Sequence, residues 1–431
     1  MSAPVLTMQK GVIGAESERG ASGNAGEVAV QAGRLVLTEG ALITASTAGI
    51  GQGGNVTVQA TDSISIDGHR TDQFPSGNTT LTNGPSGIYT NTYGPGKGGV
   101  ISVTSPILMI GEVQGSGEIG ANTFGPGNAG NVFVDVGSLS LTNGATISGT
   151  TFGTGSGGSL TIRATDSISI SGRNPSFFGI GSLEFKNNQS GIVSLALAKG
   201  NAGNISVSAA DLNLRDQGTI SASTGGSGEA GNVMVNTGTL TLIDGGQITS
   251  SSGIQIGDQF FSSNGPGGTL TVNSTATAAI TGQGSGLFTI SSGNGAGGDI
   301  NLVASQVQLM DGASISAKSF GLGNAGNIQL TAGTNFKAQN SSVTTEAAQA
   351  SGGAIKITTN PTGAVQLTNS TISASVLDGT GGGGSVNIDP QFVVLQNSQI
   401  LANSVFGPGG NMSITTNLLL PDSTSVISAS S

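Results

Sequence analysis

The chain has 431 residues, among them 75 Gly, 12 Pro and no Cys or Trp. Charged residues make up 8%, and the net charge of −10 is spread thinly, without acidic or basic runs. Collagen is excluded because no three-residue glycine period is present. Disulfides and thiolate metal sites are excluded by the lack of Cys, and nucleic acid by the lack of a Lys/Arg stripe that would release phosphate counterions.

In chain order, the first recognisable unit is Leu6 to Ala15, which reads as two strands joined by a turn, so the chain is expected to begin inside a repeat. The segment Glu27 to Gln52 shows the full grammar. Val28 and Val30 alternate with polar neighbours in a first strand, Ala32-Gly33 reads as a turn, and Leu35 and Leu37 mark a second strand. That strand ends at Thr38-Glu39-Gly40, and Ile43 and Ala45 then mark a third. Alternation of period two points one set of side chains inward.

The same order recurs behind thirteen anchoring glycines: Gly26, Gly54, Gly99, Gly130, Gly158, Gly203, Gly231, Gly268, Gly298, Gly326, Gly353, Gly384 and Gly410. Most spacings lie near 28 residues, as from Gly26 to Gly54 and from Gly298 to Gly326. Turn phrases recur as Thr142-Asn143-Gly144, Asp216-Gln217-Gly218, Ile243-Asp244-Gly245 and Met310-Asp311-Gly312. Asn, Asp and Gly suit corners with φ > 0. A repeat of this length stacks each strand on its counterpart one repeat away, in parallel, the rest of the coil acting as the crossover. The expected fold is therefore all-β, a parallel β-helix solenoid of about thirteen coils with three short strands per coil. A rise of roughly 4.8 Å per coil predicts a rod on the order of 60 Å long. The domain expectation is one continuous β-helix over 1–431, cut off at both ends because neither terminus reads as a polar cap.

Within the repeat, the position after the anchoring glycine is Asn in six coils: Asn55, Asn131, Asn204, Asn232, Asn327 and Asn411. Stacked amides there are expected to bond along the solenoid as a structural ladder. Three coils are oversized, with corner insertions at about 67–86, 171–190 and 254–264. They carry Phe74, Phe177, Phe178, Phe185, Phe260 and Phe261, together with His69, Arg70 and Arg173. Insertions at corners are where loops carry binding function, so these aromatics are candidate binding loops, set against plain satellite packing over the sheet.

No catalytic, metal or cofactor constellation stands out. His69 is the only histidine and reads as a solvated loop imidazole. Asp67, Asp216, Asp244 and Asp311 sit at turns, while Asp62 and Asp166 share the phrase Ala-Thr-Asp-Ser-Ile-Ser-Ile. Two Tyr and no Trp argue against an aromatic sugar-stacking groove. The enzyme expectation is negative, with a carbohydrate-active β-helix enzyme using paired carboxylates as the alternative. An ice-binding surface is a further alternative, from hydroxyl pairs such as Thr44/Ser46, Ser148/Thr150, Ser221/Ser223, Thr249/Ser251 and Ser373/Ser375 read as facing outward.

Gly127-Asn128-Ala129-Gly130-Asn131-Val132, followed by Leu139-Ser140-Leu141-Thr142-Asn143-Gly144-Ala145 and Ile147-Ser148-Gly149-Thr150, resembles the repeats of filamentous-haemagglutinin-like exoproteins. These are two-partner secretion passengers, also labelled S-layer family or β-strand repeat proteins. The resemblance covers essentially the whole chain at the level of repeat style and carries no site residues. It implies a right-handed parallel β-helix, export through an outer-membrane transporter, and a role in adhesion or surface structure. The family's Asn-Pro secretion motifs occur only as Asn174-Pro175 and Asn360-Pro361, in another context. No signal peptide is visible, which marks the chain as an internal or carboxy-terminal piece. The expectation is a secreted or cell-surface adhesive shaft with a neutral Ser/Thr/Asn/Gln coat, whose partner is a cell, surface or glycan receptor. Membrane insertion is not expected, because no apolar run nears the roughly 20 residues of a span.

Overall fold

The computed structural model describes residues 1–69, 73–76, 79–82, 84–113, 115–175, 178–180, 183–185, 187–256 and 258–431. The fold is an all-β parallel β-solenoid, and no helix occurs among the described residues. Its contacts divide it into two units, Met1–Ala210 with Asp216–Gly231 and Ile254–Phe261, and Asp211–Arg215 with Asn232–Gly253 and Ser262–Ser431.

In the first unit the long strands Ser2–Gln9, Val28–Thr38, Val56–Ile66, Ile101–Ile110, Val132–Thr142 and Leu160–Ser171 pair in parallel, each with the next. A second wall stacks Val12–Gly14, Leu42–Thr44, Gly87–Tyr89, Glu118–Gly120, Thr146–Ser148, Gly191–Val193 and Thr219–Ser221. The third wall is a single parallel bridge per turn, running Ser17, Thr47, Thr92, Thr123, Thr151, Ala196 and Thr224. The second unit repeats this plan from Val233–Ile243 onward, and its short wall runs Gln247–Thr249, Gly286–Phe288, Ser314–Ser316, Ser342–Thr344, Thr371–Ser373, Gln399–Leu401 and Val426–Ser428. Each unit thus holds seven turns. The turn built on Ser2–Gln9 and Val12–Gly14 precedes Gly26, so counting by anchoring glycines passes over it.

The two strands read around Ala32-Gly33 form one strand, Val28–Thr38, whose register shifts between Ala32 and Arg34. The corner there is a bulge instead of a turn. Gly33 is required because a Cβ on it would lie 2.4 Å from the Pro4 carbonyl oxygen. In later turns the halves do separate, as Leu270–Ser274 and Thr277–Thr281.

The repeating glycine has an equally direct cause. A Cβ on Gly54 would meet the Gly26 carbonyl oxygen at 1.8 Å, and one on Gly130 that of Gly99 at 1.7 Å. Gly99, Gly158, Gly203, Gly231, Gly298, Gly326, Gly353, Gly384 and Gly410 likewise pack against the preceding anchor's carbonyl, leaving no room for a side chain. At the next corner, Glu39-Gly40, Asn143-Gly144, Asp244-Gly245 and Asp311-Gly312 all take two successive positive φ values, as the turn phrases require.

Inward positions such as Val30, Leu35, Leu37, Ile43 and Ala45 are buried and repeat turn after turn. The third wall buries hydroxyls as well. Thr92, Thr123 and Thr151 donate to the carbonyls of Gly96, Gly127 and Gly155 at 3.0, 2.7 and 2.7 Å, so these three hydroxyls are satisfied locally, whereas Ser252 Oγ of the same wall is buried without a partner among the described residues.

Candidate functional site

The first and second insertions come together although a hundred residues separate them. Strands Gln73–Ser76 and Thr79–Thr82 form one hairpin, Phe178–Ile180 and Leu183–Phe185 another. The hairpins join edge to edge, Gly179 opposite Thr82 and Ile180 opposite Leu81, giving a four-stranded antiparallel sheet. Phe74, Phe178 and Phe185 lie on its strands by backbone placement, with Phe178 opposite Phe185. Phe177 and Arg70 lie outside the described residues.

The third insertion forms the hairpin Ile254–Ile256 and Gln259–Phe261. Asn187, at the end of the second insertion, donates through Nδ2 to both carboxylate oxygens of Asp258 in this hairpin, at 3.1 and 2.9 Å. All three insertions therefore gather in the first unit. Phe261 and Ile254 cover Gly225: a Cβ there would stand 2.7 Å from Phe261 Cβ and 3.1 Å from Ile254 Cγ1. Phe260 points away and is 63% exposed. Two polar atoms at the insertion bases, His69 Nδ1 and Arg173 Nε, are buried without hydrogen-bond partners among the described residues. His69 is thus partly enclosed and not the solvated imidazole read from the sequence.

The asparagines behind the anchors bond between turns from amide to backbone. Asn55, Asn131, Asn232 and Asn327 accept through Oδ1 from the N–H of Val100, Ser159, Thr269 and Ala354, at 2.9 to 3.1 Å. Asn204 occupies the same position, as does Asn411, whose carbonyl accepts from Val386. A second row at the first Asn of Gly-Asn-Ala-Gly-Asn does the same, Asn128 receiving the Ser156 N–H and Asn201 that of Glu229. Side-chain to side-chain bonding between turns appears at the positive-φ corner. There Asn397 donates to Asn369, Asn369 to Asn340 and Asn340 to Asp311, at 2.9, 3.1 and 3.2 Å.

The hydroxyl pairs do not face outward as read from the sequence. Thr44/Ser46, Ser148/Thr150, Ser221/Ser223 and Ser373/Ser375 are all buried. Hydroxyls two residues apart in a straight strand stand nearly 7 Å apart. Here Thr44 and Ser46 are 2.9 Å apart, Ser221 and Ser223 3.0 Å, so the chain bends inward and the pair closes across the bend. Their bonding capacity is used within the wall.

One ionisable cluster sits in that bend. The Glu118 carboxyl accepts from Ser148 Oγ and from Asn122 Nδ2 at 2.9 Å. Gly120 leaves the space, since a Cβ there would lie 2.7 Å from Glu118 Oε1. Burial pushes the Glu118 carboxyl above its ordinary range, against the opposing hydrogen bonds from Ser148, Asn122 and Tyr89. Burial first, and the neighbouring Glu118 second, hold the Tyr89 hydroxyl well above its usual value. Asp216, Asp244 and Asp311 occupy positive-φ corners. Asp62 and Asp166 each receive a 3.3 Å bond from the preceding Thr, as their shared phrase suggests. No group of three or more His, Asp or Glu with metal-binding geometry occurs among the described residues.

Sequence reasoning missed an aromatic row. Tyr93, Phe124 and Phe152 each follow a third-wall bridge residue, and their rings stack at 4.9 Å with interplanar angles of 9° and 5°. Their distance along the chain hides the row. The signal available was the aligned phrase Thr-Tyr-Gly-Pro-Gly, Thr-Phe-Gly-Pro-Gly and Thr-Phe-Gly-Thr-Gly. No family model matches this chain, and no match is found among curated proteins or solved structures.

Proposed function

We propose that the chain is a structural shaft of a secreted or cell-surface protein that attaches to cells, surfaces or glycans through its gathered insertions. The β-solenoid fold is compatible with such a shaft. The observation that carries the reading is the convergence of three insertions from separate turns, while wall polar groups are consumed by bonds between turns. The resemblance to filamentous-haemagglutinin-like exoproteins supports the same role, with export through an outer-membrane transporter.

The test replaces residues 171–190 by a two-residue Asn-Gly turn like Asn143-Gly144. Attachment of the purified protein to cells or immobilised glycans is expected to fall while the circular dichroism spectrum stays that of the parent. Undiminished attachment would remove the insertions from the function. The second reading, a carbohydrate-active β-helix enzyme, rests on Glu118, a carboxyl that burial pushes above its ordinary range and that Ser148 and Asn122 hydrogen-bond. Loss of polysaccharide cleavage on Glu118→Gln would favour it over the shaft.

A further inference from the structure

The outer corner just after the third wall carries different rows in the two units, and the difference points to a partner. In the first unit three large rings follow one another, and each fills the space beside the next, leaving Tyr93, Phe124 and Phe152 only partly exposed. In the second unit the same position runs Ser292, Phe320, Ala348, Leu377 and Val405, set by bridges linking Ser291, Ser319, Ala347, Val376 and Ser404. The Phe320, Ala348 and Leu377 amides donate to Ser291, Ser319 and Ala347, which confirms one rung per turn.

From Ser292 to Leu377 small and large alternate, and Val405 ends the alternation. Ala348 stands where Phe124 stands between Tyr93 and Phe152, with a methyl group in place of a ring. Phe320 and Leu377, flanking that gap, are 57% and 52% exposed. Two turns separate them, roughly 9.6 Å at the usual strand spacing, which matches twice the 4.9 Å ring stacking seen in the first unit. Leu322, Val405 and Phe406 extend the apolar surface along the same corner, each more than half exposed. A row of exposed large apolar side chains of this kind marks an association surface.

We propose that this strip binds a second copy of the chain across a two-fold axis, Phe320 of each copy entering the Ala348 gap of the other. The occupant follows from the alternation. The rungs Ser292, Phe320, Ala348 and Leu377, reading small, large, small, large, become their own complement when turned antiparallel about the point midway between Phe320 and Ala348, which sets Phe320 opposite Ala348 and Ser292 opposite Leu377. Such self-complementarity is the requirement of an isologous interface, the commonest kind in soluble oligomers. A ring placed in the gap would lie between Phe320 and Leu377, as Phe124 lies between its neighbours.

Sedimentation velocity of the full chain over a concentration series tests this. A monomer–dimer equilibrium is expected, weakened at least ~tenfold by Phe320→Ser, as for a buried anchor at an interface centre. Ala348→Phe fills the gap from within and is expected to weaken the dimer similarly, with thermal stability kept or raised by stacking on Phe320. If Phe320→Ser fails to fold, Ala348→Phe alone carries the test. A wild-type chain that sediments as a monomer at every concentration would overturn the proposal. So would folded variants that dimerise as strongly as the parent.

Discussion

At the scale of single residues, two positions depart from the surrounding grammar. At most corners the second left-handed residue is Gly, yet Gln217 takes φ 66° where Gly40, Gly144 and Gly245 stand in other turns. Its Oε1 is also buried without a hydrogen-bond partner. A side chain in this region costs about 1–2 kcal/mol, and glycine's extra chain entropy returns part of that. Gln217→Gly is expected to stabilise the protein by about 0.5–1 kcal/mol in urea unfolding; a destabilised variant would show that Gln217 makes a compensating contact. Glu118 is the other case. Its folded pKa is raised, so its contribution is fully present below the unfolded value and is lost as pH rises through the folded one. The window opens just above the ordinary carboxylate range. Glu118→Gln should therefore gain melting temperature relative to the parent as pH is raised from about 4 to 7, the ordinary carboxyl value lying near 4.3. A constant difference across that range would mean that the carboxyl titrates alike in the folded and unfolded chain.

At the scale of elements, neighbouring turns are coupled by side chains as well as by strand pairing. The row Asp311, Asn340, Asn369, Asn397 combines a left-handed backbone with amide bonds between turns, and Asn is the residue that serves both needs. Asn369→Ala removes two such bonds and leaves at a left-handed position a side chain without the polar group that lets Asn tolerate it, an expected loss of about 1–2 kcal/mol. Asn369→Gly removes the bonds alone and should lose less. Equal losses from the two would mean that the backbone conformation carries no strain. The aromatic row shows the same logic in apolar form: the rise of one turn sets ring spacing at 4.9 Å, so residues placed in register must stack.

At the scale of the whole molecule, stability rests on hydrogen-bonded walls and an aliphatic core, with charge in a small part. Charged residues are 8% of the chain, and of its ion pairs Lys10–Glu39 is exposed while Lys318–Glu346, at 2.6 Å, is partly buried. Exposed pairs contribute at most ~1 kcal/mol. Raising NaCl from about 0.05 to 0.5 M should therefore leave the melting temperature nearly unchanged. A steep salt dependence would reveal electrostatic coupling that these contacts do not explain.

The solenoid, its repeat, its left-handed corners and its anchoring glycines were legible in the sequence because each depends on a local rule applied again every turn. Gly54 must be glycine for the reason that Gly130 must, and Asn143-Gly144 turns as Asp244-Gly245 does. What needed tertiary structure was the relation between residues whose chain distance varies. The joined insertion hairpins and the Asn187–Asp258 contact, 71 residues apart along the chain, share no period that announces them, whereas the aromatic row does follow the repeat and shows only when its phrases are aligned turn by turn. The hydroxyl pairs illustrate the same limit from the other side. Alternation alone puts Thr44 and Ser46 outside, but the chain bends at Ala45 and closes them against each other. Periodicity tells which face a side chain starts on, and only the path of the backbone in space decides whether that face meets water.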